Sequence, residues 1–464
     1  MSRLRFCVLM ALPLASLSLT AAAQTRASAS DRDLARDIFR ELIAIDTSEP
    51  AGNPRAASEA IAARLKSAGF APEDVEIVGA EPRLGNLVAR LRGSGLAPPL
   101  LLMAHLDVVP ALREDWSMDP FTMSEKEGFF YGRGTQDNKA GAAMLVANLI
   151  RLKRDGFRPS RDVLIALTAD EETTGNGISW LLANHAGVKR AAMALNTDGG
   201  HGLLQNGRQL VLGVQASEKV YVSYQLEVKN PGGHSSVPRP DNAIYQLARA
   251  LDRLSKHQFP VHLTEVTRVY LARTGELGGP DAADFRGAAA TPPDAAAVAR
   301  LLNNPTYASA LHTTCVATLL KGGHAENALP QTATAVVNCR VLPDEKLADV
   351  ERALVKAIAD PDVAIKQTAE ATPSPPSPLT KEVMSTLEDL ARRHFPGVIV
   401  IPELSAGATD GLFVRNAGIP VYGVSAIFSE PDDVRAHGRD ERVPVKSFYE
   451  ALDFWYDMTR AFAK

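Results

Sequence analysis

Pro99-Leu100-Leu101-Leu102-Met103-Ala104-His105-Leu106-Asp107 is a continuous apolar run that breaks abruptly into an imidazole and a carboxylate. Residues 163–168 (VLIALT) repeat the pattern just before Asp170-Glu171-Glu172, and residues 191–196 (AAMALN) repeat it before Thr197-Asp198-Gly199-Gly200. A strand that is apolar at every position is one buried on both faces, as the strands of a helix-covered parallel sheet are. Between these runs, residues 139–152 have helical character, and two helices precede them. One starts at Asp31 with Leu34, Ile38, Leu42 and Ile45 on one face; the other covers residues 56–68 and is closed by Gly69. The alternation predicts an α/β catalytic domain, a mostly parallel sheet with helices on both faces. In open sheets of this kind ligands collect beyond the carboxyl ends of the strands, where all three polar clusters fall.

Outward from there the pattern changes. Residues 220–228 alternate as a strand, 242–254 form an amphipathic helix, 315–320 and 332–341 are strands, 346–358 a helix and 363–367 a strand. That order is the order of a ferredoxin-like α+β unit, which predicts a separate lid domain inserted into the first. About 50 extra residues, rich in Ala, Pro and Gly around 278–293, lie between its first helix and second strand and read as an excursion of the lid. The stretch Thr372-Pro373-Ser374-Pro375-Pro376-Ser377-Pro378 is a stiff return linker. A helix over 381–394, a strand running into residues 405–410, a strand over 421–425 and a closing helix from Val445 complete the chain. The expected division is 1–23 signal peptide, 24–216 and 371–464 catalytic domain, 217–370 lid.

The signal peptide rests on Arg3 and Arg5, an apolar stretch from Cys7 to Leu19, and Ala21-Ala22-Ala23 before Gln24. It predicts an exported protein, periplasmic or secreted, with no stable membrane insertion once the signal is removed, since no later run is long enough to span a bilayer. The 464 residues carry a formal charge of -4, which becomes -6 without the two signal arginines. Such a chain offers no basic field, which argues against nucleic acid as a partner and toward a small molecule or peptide. Cys315 and Cys339 remain after removal of the signal; a hairpin symmetric about residues 325 and 326 would set Cys315 opposite position 336, so two free, packed thiols are expected.

Singly, the polar clusters carry little. A His-x-Asp pair is most often a surface pair, Asp137 before a helix is most often an N-cap, and adjacent acids are usually solvated. Together, His105, Asp137, Glu172, Asp198 and His437 make two imidazoles and three carboxylates. That set suits two divalent ions sharing one bridging carboxylate, with zinc the first choice for mixed nitrogen and oxygen donors and cobalt or manganese able to take the same ligands. Glu171 stays free beside the set as a candidate base for an attacking water.

The segments LMAHLDVVP (102–110), YGRGTQDNKAG (131–141), LTADEE (167–172), NTDGG (196–200), GGHSSVP (232–238), NALP (327–330) and GATDGLF (407–413) resemble, in order, the signatures of the di-zinc metallopeptidase family M-twenty. That family includes carboxypeptidase G, aminoacylase, acetylornithine deacetylase and succinyl-diaminopimelate desuccinylase. The resemblance implies that His105 and Asp198 hold one zinc and Glu172 and His437 the other, with Asp137 bridging. Asp107 would orient His105, and Glu171 would be the general base. In the lid, His234 would polarise the scissile carbonyl, commonly from across a homodimer, while Asn327 and Arg340 would bind the substrate's carboxylate or carbonyl end and Gly407 would face the substrate. The implied activity is hydrolysis of an amide in small peptides or N-acyl amino acids, of carboxypeptidase or deacylase type. Asn138 departs from the family, which often has Met there. The extra lid residues could cover the surface a dimer uses, so a homodimer stays an open alternative. The other histidines, at 185, 201, 257, 262, 312, 324 and 394, are assigned no role. A binding protein that has lost catalysis would lack a ligand or the base, and none is missing.

Overall fold

A computed structural model describes residues 26–464; the expected signal peptide lies outside the described residues. Four parallel strands form the middle of the larger sheet, in the order Val163–Thr168, Leu100–His105, Met193–Asn196 and Val421–Gly423. Antiparallel strands Asn86–Leu91 and Val75–Val78 extend one side. On the other, Arg208–Glu218 pairs antiparallel with Val421–Gly423 and with Gly202–Gln205, and parallel with Ile399–Ser405.

The two-fold alternation of side chains sends Leu100, Leu102, Ala104, Val163, Ile165 and Leu167 to one face. There they pack under the helices Ala29–Ala44, Pro54–Ser67, Lys139–Arg154, Lys381–His394 and Val445–Phe462. Leu101, Met103, Leu164 and Ala166 face the other way, onto Asn176–Asn184, Ala186–Lys189 and Gly411–Asn416. All of these strand residues are buried, at roughly 1.5–3 kcal/mol for each large side chain. Because the four central strands run in one direction, His105, Thr168 and Asn196 end them along one rim of the sheet.

The inserted unit is a four-stranded antiparallel sheet ordered Thr314–Gly322, Thr332–Val341, Val220–Lys229, Val363–Gln367. Helices Ala243–Ser255 and Leu347–Ile358 cover one face through Leu247, Ala250, Leu254, Val350 and Leu354. A short ladder pairs Gly233–His234 with Ala328–Leu329.

Two expectations are corrected. The residues read as an excursion of the lid form the helices Glu265–Thr274, Ala282–Ala289, Ala295–Leu301 and Pro305–Leu311, with a small core of Leu271, Phe285, Ala288, Leu301 and Leu311. They pack on the catalytic domain: Glu265–Thr274 lies against Ile399–Ser405, and Arg273 pairs with Glu388 at 2.7 Å. Cys315 and Cys339 are a disulfide rather than two thiols. The connection spans residues 323–331, which centres it at residue 327 rather than between 325 and 326, and its Ala328–Leu329 pairs outside the hairpin, with Gly233–His234. A bulge between Ala317 and Leu319 shifts the register again, and Cys315 faces Cys339 directly.

Candidate metal centre

Each predicted ligand is delivered by a different connection at the sheet rim. His105 is the last residue of its strand, is buried, and points Nε2 outward while Nδ1 sits 3.0 Å from the Asp107 carbonyl oxygen. The Asp107 carboxylate, 3.6 Å from the same Nδ1, accepts the backbone N–H groups of Glu171 (3.2 Å) and Glu172 (3.0 Å). One buried acid thus sets both the imidazole and the acidic turn that follows Val163–Thr168.

Asp137 lies between the two histidines: one carboxylate oxygen is 2.8 Å from His105 Nε2 and the other 3.1 Å from His437 Nε2. Glu172 is 3.1 Å from His437 Nε2, and Asp198 is 3.9 Å from His105 Nε2. His105, Asp137 and Asp198 stand close enough to share a cation, as do Asp137, Glu172 and His437, and Asp137 is common to both; His105, Glu171 and Glu172 form a third such group across the acidic turn. That partition suits two cations sharing one carboxylate, and the donor set suits borderline-soft divalent ions.

The electrostatics point the same way. Burial pushes the Asp198 carboxyl well above its ordinary value, and the neighbouring Asp137 adds to it. Burial likewise raises Glu171, and Asp198, Asp410 and Asp137 reinforce the shift against the opposing pull of His105. Hydrogen bonds with Asp137 and Glu172 push His437 up to about 10. Packing so many acids together is costly without positive charge among them.

Three supporting residues carried no assignment in the sequence reading. Glu441 is fully buried; it pairs with Arg133 at 2.6 Å and accepts the N–H groups of Gly134 (3.1 Å), Gln136 (2.6 Å) and Asp137 (3.1 Å). It immediately precedes Arg442–Pro444, which pairs with Phe129–Tyr131, so this ladder sets the His437 segment beside the Asp137 loop. Asn138 accepts a 2.6 Å bond from Thr197 Oγ1, tying the Asp137 loop to the Asp198 turn. Asp410, pushed by burial up to about 7, accepts a 2.6 Å bond from Thr168 Oγ1 behind the acidic turn. A signal existed for two of them: Glu441 follows His437 by four residues, and Asp410 lies in the quoted GATDG.

The lid residues lie apart from this cluster. His234 is exposed and bonds Ser236 Oγ at 2.7 Å, and the Asn327 carbonyl accepts the Ser235 N–H at 3.0 Å beside it. Arg340 stacks over Tyr221 and donates to the Ala406 carbonyl at 2.9 Å, next to Gly407; among the described residues no carboxylate pairs with it. Burial lowers its pKa, as expected of a guanidinium without a counter-charge.

Residues 101–461 match the description "Peptidase family M20/M25/M40". The human "N-fatty-acyl-amino acid synthase/hydrolase PM20D1" is 31% identical over 373 residues, covering 78% of this chain and 73% of that protein. The "Probable carboxypeptidase S-like 2" of Dictyostelium discoideum is 28% identical over 372 residues, covering 78% and 71%. In fold, human carnosine dipeptidase 1 superposes with a TM-score of 0.68 at 16% identity, over 94% of this chain and 97% of that one. The chain belongs to peptidase family M20/M25/M40, a family of metal-dependent hydrolases.

Proposed function

We propose that this enzyme hydrolyses the amide bond that joins an acyl group to an amino acid bearing a free carboxylate, in N-acyl amino acids or at the C-terminus of small peptides. The observation that carries the reading is the convergence of His105, Asp137, Glu172, Asp198 and His437, with Glu171 at the same turn. The relatives act in their own names on N-fatty-acyl amino acids or as a carboxypeptidase, which agrees with it.

Two zinc ions, with cobalt or manganese as substitutes, would be held by His105 and Asp198 on one side, Glu172 and His437 on the other, and Asp137 between. Such ions acidify water and polarise a carbonyl oxygen. Glu171, its carboxyl raised by burial, takes a proton from the attacking water. The water oxygen bonds to the carbonyl carbon, the carbon–nitrogen bond breaks, and Glu171 delivers the proton to the departing amine. Arg340, with no carboxylate of its own, would pair with that of the leaving amino acid, in the bidentate manner a guanidinium favours, with Gly407 beside it, and Asn327, which stands next to His234, would bind the same end of the substrate.

His234 reaches the reaction in this account from a second copy of the chain. Two features support such a dimer. Strand Thr314–Gly322 has an unpaired outer edge with Val316, Leu319 and Leu320 exposed, and the neighbouring helix Ala243–Ser255 exposes Ile244 and Tyr245. The extra helices pack elsewhere and leave this edge open. Export to an oxidising compartment is also proposed, supported by the N-terminal apolar stretch and by the Cys315–Cys339 bridge.

The test is a panel of N-acyl amino acids and dipeptides, each with a free or amidated carboxylate, given to metal-stripped enzyme with zinc, cobalt or manganese restored. The expected result is metal-dependent release of the amine from the free-carboxylate compounds. Cleavage that persists in a chelator, or that ignores the carboxylate, would overturn the reading.

A further inference from the structure

A cavity of about 330 Å³ lies beside the candidate ligand cluster, and Asp137 and Asp198 are among its lining residues. Its floor comes from the catalytic sheet, through Leu203, Val211, Ile401 and Ile427; its roof comes from the extra helices, through Tyr270 and Leu277. Helix Glu265–Thr274 packs against Ile399–Ser405, so these extra residues close a space that the sheet alone would leave open.

Glu403 is the one lining carboxylate that belongs to none of the candidate ligand groups. Glu403 lies on strand Ile399–Ser405 just before the register shifts against Arg208–Glu218, and bulges of this kind re-aim side chains. Its carboxylate rests over Gly213, where a Cβ would stand 2.7 Å from either carboxylate oxygen; the glycine makes its niche. Among the described residues no hydrogen bond or ion pair satisfies it, and burial pushes it up to about 7. The Tyr270 side chain is partly buried nearby, its hydroxyl raised to about 12 by desolvation, with Glu403 contributing. A half-buried carboxyl that lines a cavity without a partner is unfavourable, and a ligand that brings a hydrogen-bond donor removes that cost.

We propose that this cavity is the acyl subsite and that Glu403 selects acyl groups with an apolar body and a hydrogen-bond donor, an amine or a hydroxyl, on the chain. The assignment rests on the amide-hydrolase reading above. The amino-acid half of the substrate is directed to Arg340, which is not part of this cavity, so the cavity is left to the acyl half.

The probes are N-acetyl-, N-hexanoyl-, N-(omega-hydroxyhexanoyl)- and N-(omega-aminohexanoyl)-phenylalanine, given to the zinc-loaded full chain. The donor-bearing hexanoyl compounds should exceed plain hexanoyl in kcat/KM by about tenfold or more, the size of one well-made buried hydrogen bond. Comparison of the hydroxyl and amino arms tells which donor is preferred. Glu403→Gln should collapse that ratio toward one. Calorimetry with free omega-aminohexanoate should show binding to the metal-free protein that Glu403→Gln abolishes. Leu277→Trp, which fills the roof, should lower cleavage of all three hexanoyl compounds relative to acetyl, and it serves if the Glu403 variant does not fold. Equal rates for plain and donor-bearing chains, unmoved by Glu403→Gln, or a hexanoyl-to-acetyl ratio unmoved by Leu277→Trp, would overturn the subsite and leave the hydrolase reading intact. Omega-aminohexanoate binding through Glu403 with no cleavage of any probe would sink the hydrolase reading and leave a donor-selective pocket.

Discussion

Glu171 and Asp137 stand in one cluster and should fail differently. Glu171→Ala removes the proton carrier and no proposed ligand, so the protein should bind metal as before while kcat falls by about 10²–10⁴. Metal analysis beside a turnover assay checks this, and an unchanged kcat would refute the base. Asp137→Ala removes the carboxylate placed between both histidines, and metal content itself should drop. Glu441 should behave as an orienting residue: it touches the backbone of Asp137 and belongs to none of the three ligand groups. Glu441→Gln is expected to weaken zinc affinity by about 10–100-fold, measured by competition with a chromophoric chelator. At this scale His105, Glu172 and Asp198 stood out because each follows an apolar run, a position with a physical meaning, whereas Asp137 in a glycine-rich turn and His437 in a polar stretch stood out only in combination with them. Glu441 and Asp410 had only their nearness to His437 and to the quoted GATDG to mark them, because a buried acid that serves backbone N–H groups, as Glu441 does, or one threonine hydroxyl, as Asp410 does, leaves no periodicity. The Glu403 pocket was illegible for a related reason: its walls come from strands and helices far apart in sequence.

Among the elements, helix Lys139–Arg154 approaches the Asp198 turn so closely that a Cβ on Gly141 would collide with Thr197 Oγ1. Gly141→Ala should therefore push the helix away from that turn and cost about 1–3 kcal/mol, read from urea unfolding; a neutral result would contradict the close packing. The inserted unit shows how far pattern reading extends. Its strand and helix order was visible in the alternation of residues 220–228 and 332–341, because one face packs on helices and the other does not. Its hairpin register was not, since pairing depends on where the connection turns and on a bulge that composition does not mark. The Cys315–Cys339 bridge follows from that register and closes a loop of 24 residues. Its reduction should destabilise the inserted unit by about 3 kcal/mol in the chain-entropy account, seen as a lower melting temperature in dithiothreitol. A melt indifferent to reductant would argue that the thiols are free.

The whole molecule joins two sheets and a helical roof around one rim. The extra helices were visible in the sequence as additional length, yet their docking on the catalytic domain was not, because the contact of Glu265–Thr274 with Ile399–Ser405 bridges more than a hundred residues. Their placement leaves the outer edge of the inserted sheet free, and the exposed His234 then becomes a statement about assembly. Equal mixing of Glu171→Ala and His234→Ala proteins should restore activity that neither has alone, because a mixed dimer carries one intact site; no recovery would count against donation across a dimer. The paired cation site is open to a direct measurement, diffraction from zinc-loaded crystals at the zinc absorption edge. Two anomalous peaks are expected about 3.5–4 Å apart, one against His105 and Asp198, the other against Glu172 and His437, with Asp137 between them. A single peak, or metal bound away from Asp137, would contradict the paired site.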